Sequence, residues 1–236
     1  NHDAEHMAKD SIYDLLQKSP YYVGTKGPGD VMGCGNCVIP IFDSMTKKKV
    51  ESVLYCIDSN DYQPDKLYGV YDWIHFDQIA WYRKQSAHFA SCNNGRPLPS
   101  LAFFHIPLLE YNELIGDGKT FGNDREGGVA SSKVNSGIFA SFLDRKDVMG
   151  VFAGHDHDND YSVMWHGILL AYGRFTGGNT EYNHLPNGAR VILMKENART
   201  FTTWIRIKGG EIVDKTVYPD SYRKDDWRKR PPVGEK

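Results

Sequence analysis

The sequence predicts an α/β layered fold, on three observations. Short apolar, β-branched runs alternate with segments of helical periodicity, the C-terminal half turns β-rich, and two of the buried runs end in histidine. In such folds the carboxyl ends of strands open into loops where ligands gather, so histidines at two strand ends mark a candidate site. The 236 residues, 40% of them hydrophobic, suffice for one large domain with a real core. No apolar stretch approaches the roughly 18 residues a membrane helix requires. A net charge of −2 gives no support to a broad nucleic-acid surface, although a narrow substrate channel is compatible with it. The 13% aromatic content fits a β-rich scaffold and a stacking pocket equally well.

Along the chain, Met7, Ile12, Leu15 and Leu16 among polar residues predict an amphipathic helix over 5–18, closed by Pro20. Val31 to Phe42 reads as extended, and 38–42 with 53–57 reads as a hairpin around the polar turn 43–49. Cys34 and Cys37 have CxxC spacing, but no second pair follows at zinc-ribbon distance. On a strand, positions three apart face opposite ways. A packing role is expected for both, and Cys56 reads as a small buried hydrophobe. A helix follows over 76–89, with Asp77 near its start and Phe76, Ile79, Ala80 and Trp81 as its buried side. His75 and His88, at or within it, read as surface or packing residues.

The run 100–104 is a compact buried strand ending at His105, where Pro107 prevents a regular ladder from continuing. Glu110 and Tyr111 follow closely enough to line a substrate cleft. The polar, glycine-rich stretch 112–131 predicts a flexible loop over that cleft. A helix over 134–143 and a strand over 148–153 come next, and the strand delivers Gly154-His-Asp-His157. A His-x-His at a strand end, after a Gly that lets the backbone turn, projects two imidazoles from one short loop toward a common space. That is metal-ligand geometry. Asp156 between them is expected to point away and bond the loop. Asp158, Asn159 and Asp160 read either as acceptors that orient the histidines or as an Asx-rich turn. Further strands are predicted over 161–165, 168–172, 190–194 and 201–207.

Gly173-Arg-Phe-Thr-Gly-Gly178 lacks the spacing and Lys-Ser/Thr ending of a nucleotide P-loop. Arg174 remains a candidate phosphate contact, or equally a structural donor. His166 and His184 lie near the C-terminal loops, within possible reach of substrate. The stretch 222–236 shows no periodicity and reads as a surface tail, its Arg228-Lys-Arg230 cluster solvated. The chain opens with Asn1-His2-Asp3, residues suited to the same chemistry as the two histidine-bearing strand ends.

Taken together these segments resemble the calcineurin-like metallophosphoesterases, in their purple-acid-phosphatase-like branch. Asn1-His2-Asp3 resembles the tail of a Gly-Asn-His-Asp/Glu motif, and Gly154-His-Asp-His157 a Gly-His-x-His motif. Phe103-Phe-His-Ile-Pro107 with Glu110-Tyr111 is similar to the segment carrying the intervening histidine. Leu54-Tyr-Cys-Ile-Asp58 and Lys133-Val-Asn-Ser-Gly137 also fit that branch. The resemblance spans roughly residues 1 to 208, and its order and spacing carry more weight than any one motif.

The resemblance implies a four-layer αββα sandwich, with 1–213 the C-terminal portion of a single metallophosphoesterase domain and 214–236 a tail. It implies that Asn1, His105 and His155 bind one metal and His157 the other. The two divalent or trivalent ions would be drawn from Fe, Zn and Mn. His2 would act beside the transferred phosphoryl group as leaving-group acid or charge stabiliser, with Asp3 orienting it. Glu110, Tyr111 and Arg174 would contact substrate. The implied reaction is hydrolysis of phosphate mono- or diesters by a metal-bound hydroxide, with a nuclease or cyclic-nucleotide phosphodiesterase as a variant on the same ligands. The family's Asp-x-His and Gly-Asp-x-x-Asp motifs, with several central strands, would precede residue 1. The 236 residues alone are therefore expected to bind metal weakly and catalyse little, which keeps a catalytically incomplete binding module as the alternative. The branch leans toward a periplasmic or secreted location, and the oligomeric state is open.

Overall fold

The computed structural model describes residues 6–114, 119–177 and 184–223. Its first sheet takes β1 (Cys37–Phe42), β2 (Val50–Cys56), β3 (Ser100–Phe103), β4 (Val148–Ala153), β5 (Ser162–Trp165) and β6 (Ile168–Tyr172) in the order β1-β2-β3-β4-β6-β5. The inner four strands run parallel, and the two edge strands are antiparallel to their neighbours. A second sheet is the antiparallel meander β7 (Gly188–Met194), β8 (Phe201–Ile207) and β9 (Ile212–Tyr218). Helix α1 (Lys9–Leu16) precedes the sheets, while α2 (Phe76–Cys92) and α3 (Ile138–Arg145) are crossover helices.

The strand period of two, interrupted once, explains the layering: the β3–β4 register shifts between Ser100↔Val148 and Leu101↔Gly150, so Val148 shares a face with the odd-numbered residues beyond the irregularity. In β4, Val148, Val151 and Ala153 face a core shared with Ile79 and Tyr82 of α2 and Phe139 and Phe142 of α3. Met149 and Phe152, between them, face a second core shared with Phe201 of β8 and Tyr218 of β9. Each inner strand is therefore covered on both sides, and this is why the parallel strands read as continuous apolar runs. Among the described residues the layers run helices, mixed sheet, antiparallel sheet, which accounts for the paired sheets and one helical layer of the expected αββα sandwich. Among the described residues no helix is long and apolar enough to cross a membrane.

Several expectations need adjustment. The extended run begins at Cys37, and Cys34 lies in the loop before it. In α2, Phe76 is 74% exposed because it sits in the first turn facing solvent; Ile79, Trp81 and Tyr82 make the packed side. Helix α3 starts at 138 and not 134, because Gly137 takes a left-handed conformation (φ +87) and its amide is capped by the Asn135 side chain at 2.9 Å. Strand β9 crosses the expected 213/214 boundary. Its pattern was masked by Asp214, which stands at φ +52 beside an irregular register that breaks the alternation. Tyr222, expected in a tail, is buried and hydrogen-bonds the hydroxyls of Ser162 and Thr216, each at 2.7 Å. Residues 224–236 lie outside the described residues.

Candidate metal and phosphate site

Three parallel strands, β2, β3 and β4, stop side by side, and just beyond them stand Asp58, His105 and His155. The ladder between β3 and β4 runs on past the strands: Phe104 N–H donates to Phe152 O at 3.2 Å, and Gly154 N–H to His105 O at 3.0 Å. The two histidines thus leave adjacent strands at matched heights, and their rings meet with His155 Nδ1 3.3 Å from His105 Nε2. Tyr71 packs edge-on against the His155 ring at 4.5 Å and is itself stacked on Tyr62.

The turn that aims His155 is made differently from the expectation. His155 itself takes the left-handed conformation, at φ +75, a position few residues with a Cβ occupy. Gly154 serves close approach: a Cβ there would stand 3.3 Å from His105 Nδ1. His157 lies tilted against Phe175, ring centres 5.1 Å apart, and its Nδ1 is buried with no hydrogen-bond partner among the described residues.

These groups fit part of a metal site. Two imidazole nitrogens each 2.0–2.1 Å from one ion stand roughly 3.3 Å apart at a tetrahedral angle, the spacing His105 and His155 show. The buried His157 Nδ1, without a hydrogen-bond partner among the described residues, is a further candidate ligand atom. Among the described residues, no group of three or more His, Cys, Asp or Glu side chains is arranged to hold an ion. Asn1, His2 and Asp3, the remaining expected ligand and catalytic residues, lie outside the described residues.

The His105 side of the site borders a cavity of about 770 Å³ between the two sheets, walled by Phe103, Phe152 and Ile192 and by α1. Lys9 and Asp58 line it as an ion pair at 3.0 Å, and Asp58 also accepts the amides of Cys34 at 2.8 Å and Asn60 at 3.0 Å. Sequence reasoning did not single out either residue. Asp58 could have been found by the same strand-end logic that found His105, whereas Lys9, on a helix far along the chain, carries no such signal.

Other expected contacts are placed elsewhere. Tyr111 is fully buried, its hydroxyl donating to the carbonyls of Val151 and Ala171 at 3.1 and 3.2 Å, so it is a core residue and does not face the cleft. Glu110 is half-buried and accepts from Asn135 Nδ2 at 2.9 Å. Arg174 reaches the cavity wall, but its guanidinium is held by Asp160, with Nε at 3.0 Å, and by Pro186 O at 2.6 Å. That is the structural-donor alternative.

Asp156 does turn away from the histidines: it is buried and accepts from the Tyr172 hydroxyl at 2.5 Å, and burial pushes its carboxyl up to about 6. Asp158, Asn159 and Asp160 form more than a local turn, since each accepts from a distant segment. Asp158 accepts from His184 N at 2.8 Å, Asn159 from Arg125 N at 3.0 Å, and Asp160 from Asn123 N at 2.6 Å. They therefore fasten 121–126, which is tied to the body and not a free flap. His75 caps α2 and stacks on Trp73, His88 and His166 are exposed, and His184 is spent on Asp158.

Comparison with known proteins identifies the class. The chain is 32% identical over 226 residues to "Probable inactive purple acid phosphatase 29" of Arabidopsis thaliana, covering 88% of this chain and 57% of that protein. It is 32% identical over 238 residues to "Phosphatase DCR2" of Saccharomyces cerevisiae, covering 91% of this chain and 40% of the yeast protein. To "Probable inactive purple acid phosphatase 14" of Arabidopsis thaliana it is 31% identical, over 73% of this chain and 47% of the relative. No family model matches. The chain spans about half the length of the curated relatives it matches. The two-sheet fold and the paired strand-end histidines are in keeping with these relatives, all named as members of phosphatase families. The chain belongs to the calcineurin-like metallophosphoesterase superfamily, alongside its purple-acid-phosphatase-like members.

Proposed function

We propose that the chain forms the C-terminal part of a phosphoesterase domain that hydrolyses phosphate monoesters or diesters at a dinuclear metal centre. The observation that carries this reading is the convergence of His105 and His155 from two adjacent parallel strand ends, ring nitrogens 3.3 Å apart. In this reading His105 and His155 share one ion with Asn1, and His157 serves the second through a ring whose buried Nδ1 lacks another partner. These residues would hold iron, zinc or manganese ions, whose chemistry when bound would be to offset charge on phosphate oxygens and lower the pKa of water. His2 holds the proton for the leaving oxygen, and Asp3 keeps that imidazole oriented. Gly154 gives His105 room to reach its position, and Tyr71 closes one side of His155.

A second reading has its own support. Two of the relatives are named inactive, and the described residues assemble two histidines, not a complete ligand set. In that reading the protein binds phosphate esters without turning them over. The two separate by elemental analysis of the full-length protein together with turnover of p-nitrophenyl phosphate and bis-p-nitrophenyl phosphate. Two metals per chain, and hydrolysis abolished by His105→Ala and by His155→Ala but not His184→Ala, support the enzyme. Metal without hydrolysis supports the binding module, and the absence of bound metal overturns both forms of the site. The ratio of monoester to diester turnover distinguishes a phosphatase from a phosphodiesterase or nuclease.

A further inference from the structure

We propose that Cys37 and Cys56 are a redox pair that closes to a disulfide across the β1–β2 ladder, at the wall of the cavity beside His105. The strand register carries the inference. Cys37 stands directly opposite Cys56, so both side chains leave the same face of the sheet. The Val53 and Ile57 amides bond β3 and its lead-in, at 3.1 and 2.9 Å, so by alternation Cys56 turns its backbone toward β1. Opposite residues of that kind have Cα atoms about 5.5 Å apart, inside the Cα span of a disulfide. Because Cys37 opens β1 and Cys56 closes β2, the ladder ends there, and the two Cβ atoms can draw together by the roughly 1 Å that the bond requires. Both thiols are free in this structure.

Cys56 supplies access and Cys37 supplies reactivity. Cys56 is half-buried on the cavity wall, so a small oxidant has a route in; Cys37 is buried behind it. With the Cys56 thiol beside it, the pair gives up its first proton, from Cys37, below the usual thiol range, while the second proton is held above it. Cys34, which CxxC spacing would pair with Cys37, lies in the loop before β1 with its amide fixed on Asp58 and its sulfur 3.9 Å from Asp10.

The oxidant is a hydroperoxide. The Cys37 thiolate attacks the terminal peroxide oxygen, an S–O bond forms as O–O breaks, and the alcohol leaves with a proton. The Cys56 sulfur then attacks Cys37, S–S forms as S–O breaks, and water leaves with the Cys56 proton. Two thiols lose two electrons and the peroxide gains them.

The test is non-reducing peptide mapping of the full-length native protein after hydrogen peroxide and alkylation. The expected result is a Cys37–Cys56 cross-linked peptide and a loss of two hydrogens, reversed by dithiothreitol. The same peptide should form in Cys34→Ser and not in Cys56→Ser. A Cys34–Cys37 link in the wild type, or Cys37 and Cys56 recovered as separate alkylated or over-oxidised residues, overturns the proposal. The wild-type map decides this even if a serine variant fails to fold. The readout contains no phosphoesterase activity, so it stands apart from the reading of the metal site.

Discussion

Replacing Asp147 with alanine tests how the parallel sheet is held at the end opposite the histidines. Asp147 is 2% exposed and accepts from the Tyr55 hydroxyl at 2.9 Å, the Tyr82 hydroxyl at 2.5 Å and Val148 N at 2.9 Å. One carboxylate thus joins β2, α2 and the start of β4. Its removal strands two hydroxyls in a packed core, each at a cost of about 1–3 kcal/mol. The sum is about 4 kcal/mol, or a fall in Tm of roughly 12 °C for a domain of this size. Urea unfolding of Asp147→Ala, Tyr55→Phe, Tyr82→Phe and the double variants measures it. Each tyrosine change should cost about 2 kcal/mol in the wild type and close to nothing, or less than nothing, once Asp147 is gone. A loss below about 1 kcal/mol for Asp147→Ala, or equal tyrosine effects in both backgrounds, refutes the reasoning. Six residues of β4 put the histidines about 20 Å away, so metal binding by the folded variant should be unchanged.

Two further outcomes follow from local geometry. Gly154→Ala places a Cβ 3.3 Å from His105 Nδ1, so the ring must shift by a few tenths of an ångström; zinc titration of the full-length protein should show affinity down about tenfold with the fold intact, and unchanged affinity would count against the role given to Gly154. Asp43 accepts from the Thr46 hydroxyl at 2.7 Å and from the Lys49 amide at 3.0 Å, bonds that hold its carboxyl below the usual carboxylate range. A depressed folded pKa stabilises above the unfolded value of about 4, and the contribution is lost as pH falls through that value toward the folded one. Asp43→Asn should therefore flatten the acid limb of a stability profile, and an unaltered limb would refute it.

The parts of the fold that could be read from sequence are those where burial alone writes the pattern. Runs such as 148–153 and 168–172 are covered on both faces and could be nothing but inner strands. The same logic located His105 and His155, since a strand end is a position in space as well as in the chain. Tyr111 shows where it stops: six residues past His105 the chain coils back through a short helical turn, and nearness in sequence becomes burial in the opposite core. Strand β9 escaped because one left-handed aspartate shifts the alternation. The facing of Cys37 and Cys56 was not legible, because partnership on a sheet is set by register, here with a residue nineteen positions away, and not by local spacing. Gly154 was assigned the turn that His155 makes, since residue type reports permitted conformations and not which neighbour uses them.

The backbone bonds that carry the β3–β4 ladder beyond its strands also fix how the histidine pair behaves in time. The Phe104 and Gly154 amides extend the ladder of the central strands, and bonds of that kind open less readily than those of the surrounding loops. The spacing between His105 and His155 is therefore not sampled by loop motion. On the proposed reading, a cation arriving there would meet donors already held in place, and little conformational entropy would be lost on capture. In the proposed metal site, an ion whose preferred ligand spacing differs from that of the ladder would have to distort the sheet or be bound less tightly, so backbone pairing would act as a sieve for metal size.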